Sequence, residues 1–151
     1  MRAYPTFVLI LLSLCVPSLL LADDAPKEDK GLEGEWELKT LVNNGKDLKK
    51  EFSKGTDRKM RLIFKDDSLT IKMDSIERTN KILIDSGKTP KNLDFIATDG
   101  EGNEHRTLAI YEIKDDDLRI CFARPDKDRP KEFTGKEGTG YSLWTLQKIK
   151  K

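Results

Sequence analysis

From Trp36 onward the chain sets apolar side chains at every second position in short runs, and closes each run with asparagine, aspartate, glycine or proline. That period of two marks strands with one buried face and leaves room for very little helix. Trp36 and Leu38, with Leu41 and Val42 less regularly, form a first strand that ends at Asn43-Asn44-Gly45, where a positive φ is tolerated. Met60, Leu62 and Phe64 alternate, Lys65-Asp66-Asp67-Ser68 turns, and Leu69, Ile71 and Met73 alternate again, which predicts a hairpin. Further strands are expected around Ile82 and Ile84, through Leu93, Phe95 and Ala97, and over 107–113, 118–123 and 141–149. Ser86-Gly87-Lys88 with Thr89-Pro90, then 99–103 and 115–117, supply the breaks, and 124–140 is a long connection rich in proline, glycine and charge. Lys46 to Lys54 is the one helical candidate: Leu48 and Phe52 share a helical face, and Gly55 ends it. So short a helix cannot stand alone and is expected as a lid or plug.

Eight short antiparallel strands without a long crossover give an all-β fold, either a closed antiparallel barrel or a sandwich. Closure removes the exposed edges of an open sheet. In 107–113, Ala109, Tyr111 and Ile113 lie on one face while Leu108 and Ile110 lie on the other, which fits a barrel partly covered outside. The two tryptophans, Trp36 and Trp144, fall in the first and last strands. These strands are expected to meet.

Residues 1–22 read as a removable secretory leader. Arg2 supplies the positive region, Phe7 to Leu14 the apolar stretch, and Pro17-Ser18 a break before cleavage after Ala22. Pro17 interrupts an apolar run already short of the roughly 20 residues a membrane span requires, so none is expected in the mature chain. Acylation at Cys15 is disfavoured, because Leu14 stands where a lipobox places a small residue. The expected location is secreted or periplasmic, with 23–30 a flexible lead-in and 31–151 a single domain.

Arg2 is the only charge in the leader, so the other 129 residues carry 27 basic and 27 acidic side chains. That balance argues against a nucleic-acid binder. Cys121 is the one cysteine beyond the leader, which excludes an intrachain disulfide and a cysteine zinc site. Its place between Ile120 and Phe122 reads as a small buried hydrophobe. His105 is the single histidine, with no G-x-S-x-G elbow and no second histidine to support catalysis or a metal, and it reads as a loop residue. Counted from Asp99, the sixth and twelfth positions of a calcium loop hold Glu104 and Ile110, so that pattern fails. No enzyme, metal or cofactor is expected.

Gly34-Glu35-Trp36 matches the G-x-W signature of the lipocalins, whose barrels lay a basic residue of the last strand over that tryptophan. The resemblance gives Lys148 that part, its cation stacked on the indole. Leu118-Arg119-Ile120-Cys121-Phe122-Ala123-Arg124-Pro125, followed by Arg129-Pro130-Lys131-Glu132-Phe133, resembles a lipocalin-like domain family known chiefly from planctomycete bacteria. That family's pattern runs L-x-G-x-W, an I-Y-E strand, L-x-x-C-x-A-x-P and R-P-x-x-F. Leu32, Gly34, Trp36 and Ile110-Tyr111-Glu112 fit it, with Ala109 standing where glycine is common. The resemblance covers 31–149 and implies a lipocalin-like closed barrel of about eight strands with one short helix. The family is uncharacterised, so it implies little about activity. Structurally, Arg129-Pro130 is expected to fix an extended turn and Phe133 to anchor the long connection on the barrel. With Gly34, Trp36 and Lys148 they form the expected closure set.

The leading functional expectation is a binding module holding a small apolar molecule inside the barrel, lined by Trp36, Phe64, Phe95, Tyr111, Phe122 and Trp144. An eight-stranded barrel is just wide enough to be filled by side chains or to hold one small ligand. The alternative is therefore a structural or interaction module with a filled barrel and an envelope protein as partner.

Overall fold

The computed structural model describes residues 29–52, 58–125 and 127–150. The expected leader, Cys15, most of the lead-in and the Ser53–Gly55 end of the expected helix lie outside the described residues. The elements are β1 (Gly34–Asn43), β2 (Lys46–Asp47), α1 (Leu48–Phe52), β3 (Met60–Lys65), β4 (Ser68–Met73), β5 (Ile76–Asp85), β6 (Lys91–Thr98), β7 (Glu104–Lys114), β8 (Asp117–Ala123) and β9 (Tyr141–Lys148). β1 and β3–β9 pair antiparallel in chain order, and β1 also pairs with β9. The sheet thus closes into an eight-stranded barrel, with two-residue β2 added beside β1. Among the described residues the protein is an all-β barrel with one short helix. Among the described residues, no helix is long and apolar enough to cross a membrane.

Alternation dictates what lies inside. Leu62 and Phe64 on β3, Leu69 on β4, Ile82 on β5, Leu93 on β6, Leu118 and Ile120 on β8 and Leu146 on β9 are buried in one cluster. β1 keeps Trp36, Leu38 and Leu41 in that cluster despite their uneven spacing, because a bulge between Leu38 and Thr40 shifts its register on β9. Asp66, Asp74 and Asp115 open three hairpin turns at φ of 52–56°, a left-handed conformation that aspartate tolerates.

Two elements depart from the sequence reading. Lys46 and Asp47 are strand, not helix, paired with Asn43 and Val42. Asn44 and Gly45, both at positive φ, fold the chain back on β1 before the helix starts at Leu48. Asp47 then accepts the Lys49 amide at 3.1 Å. β5 begins at Ile76, well before the expected Ile82, and its first residues are largely polar and exposed. They are held by pairing alone, through Thr70–Thr79 hydroxyl contact at 2.8 Å and a Lys72–Glu77 ion pair at 3.1 Å. A strand exposed on both faces leaves no apolar period to read.

Residues 29–33 lie against one end of the barrel. The Trp36 indole is fully buried and donates to the Leu32 carbonyl at 2.8 Å. Lys148 Nζ stands 5.0 Å above the ring and donates to the Gly31 carbonyl at 3.2 Å. Gly34 has φ 121°, a conformation that only glycine adopts without strain. Asp29 accepts from Lys91 Nζ at 2.7 Å and from the Tyr111 hydroxyl at 2.9 Å. Burial alone would raise the Asp29 carboxyl, but the bonds from Lys91 and Tyr111 hold it below its usual value.

The connection 124–140 runs as a strap over the outer face, covering Ile110, Cys121 and Ala123, which are buried there together with Pro130, Thr134 and Gly135. Arg129 clasps Asp94 through two bonds, at 2.5 and 3.0 Å, and also donates to the Ala109 carbonyl at 2.6 Å. Arg106 bonds the same carboxylate through Nε at 2.9 Å. The Arg119 guanidinium covers the Phe133 ring at 4.8 Å. At Gly135 the strap presses on β1: a Cβ there would lie 2.4 Å from the Val42 carbonyl oxygen, and the Gly135 carbonyl accepts the Gly45 amide at 2.7 Å.

Candidate functional site

The six aromatics expected to line a ligand cavity divide into two groups. Trp36, Phe64 and Tyr111 are buried in the core. With the leucines and isoleucines around them they fill the half of the barrel closed by residues 29–33. Burial and the Asp29 contact push the Tyr111 hydroxyl far above its ordinary pKa, so it stays a neutral donor to that carboxylate. Phe95, Phe122 and Trp144 lie toward the opposite end and are only partly buried.

Register explains how those three rings meet. Phe122 pairs across the sheet with Ala109 on one side and Ser142 on the other, two small residues that leave space for a ring. Trp144, two positions along β9 from Ser142, reaches it diagonally. The Phe122 and Trp144 centroids are 4.9 Å apart at 65°, and Phe95 meets Phe122 at 5.1 Å and 68°. Both are edge-to-face contacts of the favoured kind. Trp144 Nε1 donates to the Ser142 hydroxyl at 3.0 Å. The mouth is therefore occupied by rings packed on one another.

Clefts border the fold among the described residues, and three of them are large enough to consider. The smallest, about 50 Å³, touches Phe64, Asp29 and Ile84. One of about 400 Å³ lies between the β5–β6 turn and the strap, lined by Pro90, Lys91, Tyr111, Ile113 and Phe133 among others. The third, about 420 Å³, opens beside β1, with Lys39, Lys49, Lys50, Arg58 and Lys59 among its lining residues. Trp36, Phe95, Phe122 and Trp144 line none of these three.

His105 is mostly exposed and bonds Asp99 at 3.0 Å. Asp99 also accepts the Glu101 and Asn103 amides, each at 2.9 Å. The His105 bond, with those from Asn103 and Glu101, holds the Asp99 carboxyl far below its usual value. The group ties a loop together. Cys121 is buried, its thiol pushed up by burial and donating to the Thr134 carbonyl at 3.2 Å. Among the described residues, no group of three or more His, Cys, Asp and Glu side chains could hold a metal ion.

Sequence reasoning missed Asp94 and Arg106, which with Arg129 make the most buried charge cluster described. The available signal was an acid set between Leu93 and Phe95 in a strand whose neighbour, β7, carries Leu108 and Ile110 on its outer face. An outer face that apolar must be covered, and a carboxylate beneath a cover must be paired. The basic cleft beside β1 was also missed, since Lys39, Lys49, Lys50, Arg58 and Lys59 are scattered in sequence. Comparison of the chain with protein-family models, curated proteins and solved structures gives no match.

Proposed function

We propose a non-catalytic module of the secreted or periplasmic space that works through its surface, the barrel serving as a filled frame. One observation carries this reading. The closed half is packed with fully buried side chains around Trp36 and Tyr111, and at the mouth Phe95, Phe122 and Trp144 pack edge to face. An eight-stranded barrel is just wide enough to be filled by its own side chains, and this packing among the described residues supports a filled interior. The secretory location rests on the pattern of residues 1–22 and the lipocalin-like character on the G-x-W resemblance.

A second reading has its own observation. The 400 Å³ cleft between the β5–β6 turn and the strap is within the size range of small-molecule sites, with Pro90, Ile113 and Phe133 giving apolar and aromatic contacts among polar neighbours such as Thr89, Lys91 and Glu112. A small ring-bearing apolar molecule would bind there, beside the barrel and not inside it. Purification from the native envelope under non-denaturing conditions separates the two. A specific protein partner in the pull-down, with no bound small molecule in native mass spectra, is expected. A stoichiometric small molecule released on denaturation would move the assignment to the cleft, and robust turnover in a broad hydrolase screen would overturn both readings.

A further inference from the structure

Asn44 is the one asparagine in the sequence that glycine follows. In such a pair the glycine nitrogen attacks the preceding carboxamide, because no Cβ hinders its approach, and this chemistry makes the asparagine thermolabile. Here the pair forms the tight turn between β1 and β2, with φ of 52° at Asn44 and 76° at Gly45. Both reacting groups are held by the strap. The Gly45 amide donates to the Gly135 carbonyl at 2.7 Å, and Asn44 Oδ1 accepts the Gly138 amide at 3.1 Å. The strap is itself braced where it makes these bonds. The Thr139 hydroxyl and amide both donate to the Lys136 carbonyl, at 2.7 and 3.3 Å, and the Thr134 hydroxyl accepts the Lys136 amide at 3.3 Å. Asn44 is exposed, so water reaches it.

We propose that Asn44-Gly45 is a site of covalent modification, deamidation through a cyclic imide, and that the strap sets its rate. A bond forms between Gly45 N and Asn44 Cγ, the Cγ–Nδ2 bond breaks, and that nitrogen leaves as ammonia with the Gly45 amide proton. Water then adds to either ring carbonyl, giving aspartate or isoaspartate with no change of oxidation state. Gly45 must give up the proton it donates to Gly135, and Asn44 must turn its carboxamide away from Gly138. Isoaspartate routes the main chain through Cγ and lengthens it by a carbon. A turn that short has no room for it, so the Val42–Asp47 and Asn43–Lys46 pairs lose their register. The end of the strap is then released from β1 in one direction only, a timer acting on the cover of the outer face.

The purified full chain is incubated at mildly alkaline pH, folded in buffer and unfolded in urea. Position 44 is read by peptide mass spectrometry that separates asparagine, aspartate and isoaspartate. The folded chain is expected to react about tenfold or more slowly than the unfolded one, the scale of two hydrogen bonds that must break. Gly135→Ala, whose Cβ would lie 2.4 Å from the Val42 carbonyl oxygen, pushes the strap off β1 and is expected to speed the folded reaction severalfold. Should that variant lose its fold, the parent in low, non-denaturing urea keeps the test readable: reaction at position 44 should rise in step with exchange of the Gly45 amide. The isolated isoaspartate form is expected to exchange its Gly138 amide faster than the parent. Equal rates in the folded and unfolded chain, indifference to Gly135→Ala or to urea, or an unchanged Gly138 amide in the isoaspartate form would each overturn the proposal. Equal loss at Asn103, which Glu104 follows, would overturn it too.

Discussion

Asp94 is the residue on which the strap depends. Its side chain is 4% exposed and meets both Arg106 and Arg129. Burial by itself would raise this carboxyl, but the bonds from Arg129 and Arg106 outweigh it and leave the group below its ordinary value. A depressed folded-state pKa means the ion contributes stability above the unfolded value, and the contribution is lost as pH falls through the folded one. Asp94→Asn is thus expected to cost about 3 kcal/mol at neutral pH, the order for removing one partner of a buried ion pair. The difference in urea midpoint between the two proteins should hold from neutral pH down to about pH 5 and close below pH 4. A gap that persists unchanged into strong acid would show that charge is not what Asp94 contributes. Trp36→Ala should cost about 3–5 kcal/mol, because the indole is fully enclosed and its N–H is bonded. An unchanged denaturation midpoint would refute that burial. Trp36 was legible in the sequence as the first large apolar residue of a strand. Asp94 was not, because a lone acid in a strand is ordinary until something is known to cover it.

Elements were legible in proportion to how asymmetrically they are buried. β3 alternates between the buried Leu62 and Phe64 and more exposed neighbours, β4 carries its apolar residues at the same period of two, and their turn at Asp66-Asp67 was readable from residue type. The outer half of β5 faces solvent on both sides and carried no such signal. The strap was legible only as a long connection, since its hold on the barrel comes from residues far apart in sequence. At Gly135 it presses on β1, and Gly135→Ala is expected to lower the melting temperature through about 1–3 kcal/mol of overpacking against the Val42 backbone. Gly100→Ala meets nothing within 4 Å and should stay within about 0.5 kcal/mol of the parent. Equal melting temperatures for the two variants would mean that the strap yields freely at β1.

At the scale of the whole molecule, closure depends on the β1–β9 pairing, which runs from Trp36–Lys148 to Asn43–Ser142 across the bulge. If that seam is as secure as the rest of the wall, amides at Leu38, Trp144 and Leu146 should exchange about as slowly as those of β7 and β8, with β2 and α1 exchanging fast. Fast exchange confined to the seam would describe an open sheet in solution. The barrel could be anticipated from strand count and edge avoidance. The candidate site could not, because all six aromatics obey the same alternation, and only the assembled registers decide which are enclosed and which reach the mouth. The strap supplies one more consequence. Beneath it lies Cys121, the sole cysteine among the described residues, its thiol hydrogen-bonded to the strap at Thr134. A thiol reagent can reach that sulfur only when the cover lifts, so the rate of alkylation of the native protein is a clock for that opening. The molecule carries its own reporter, with no label to be engineered.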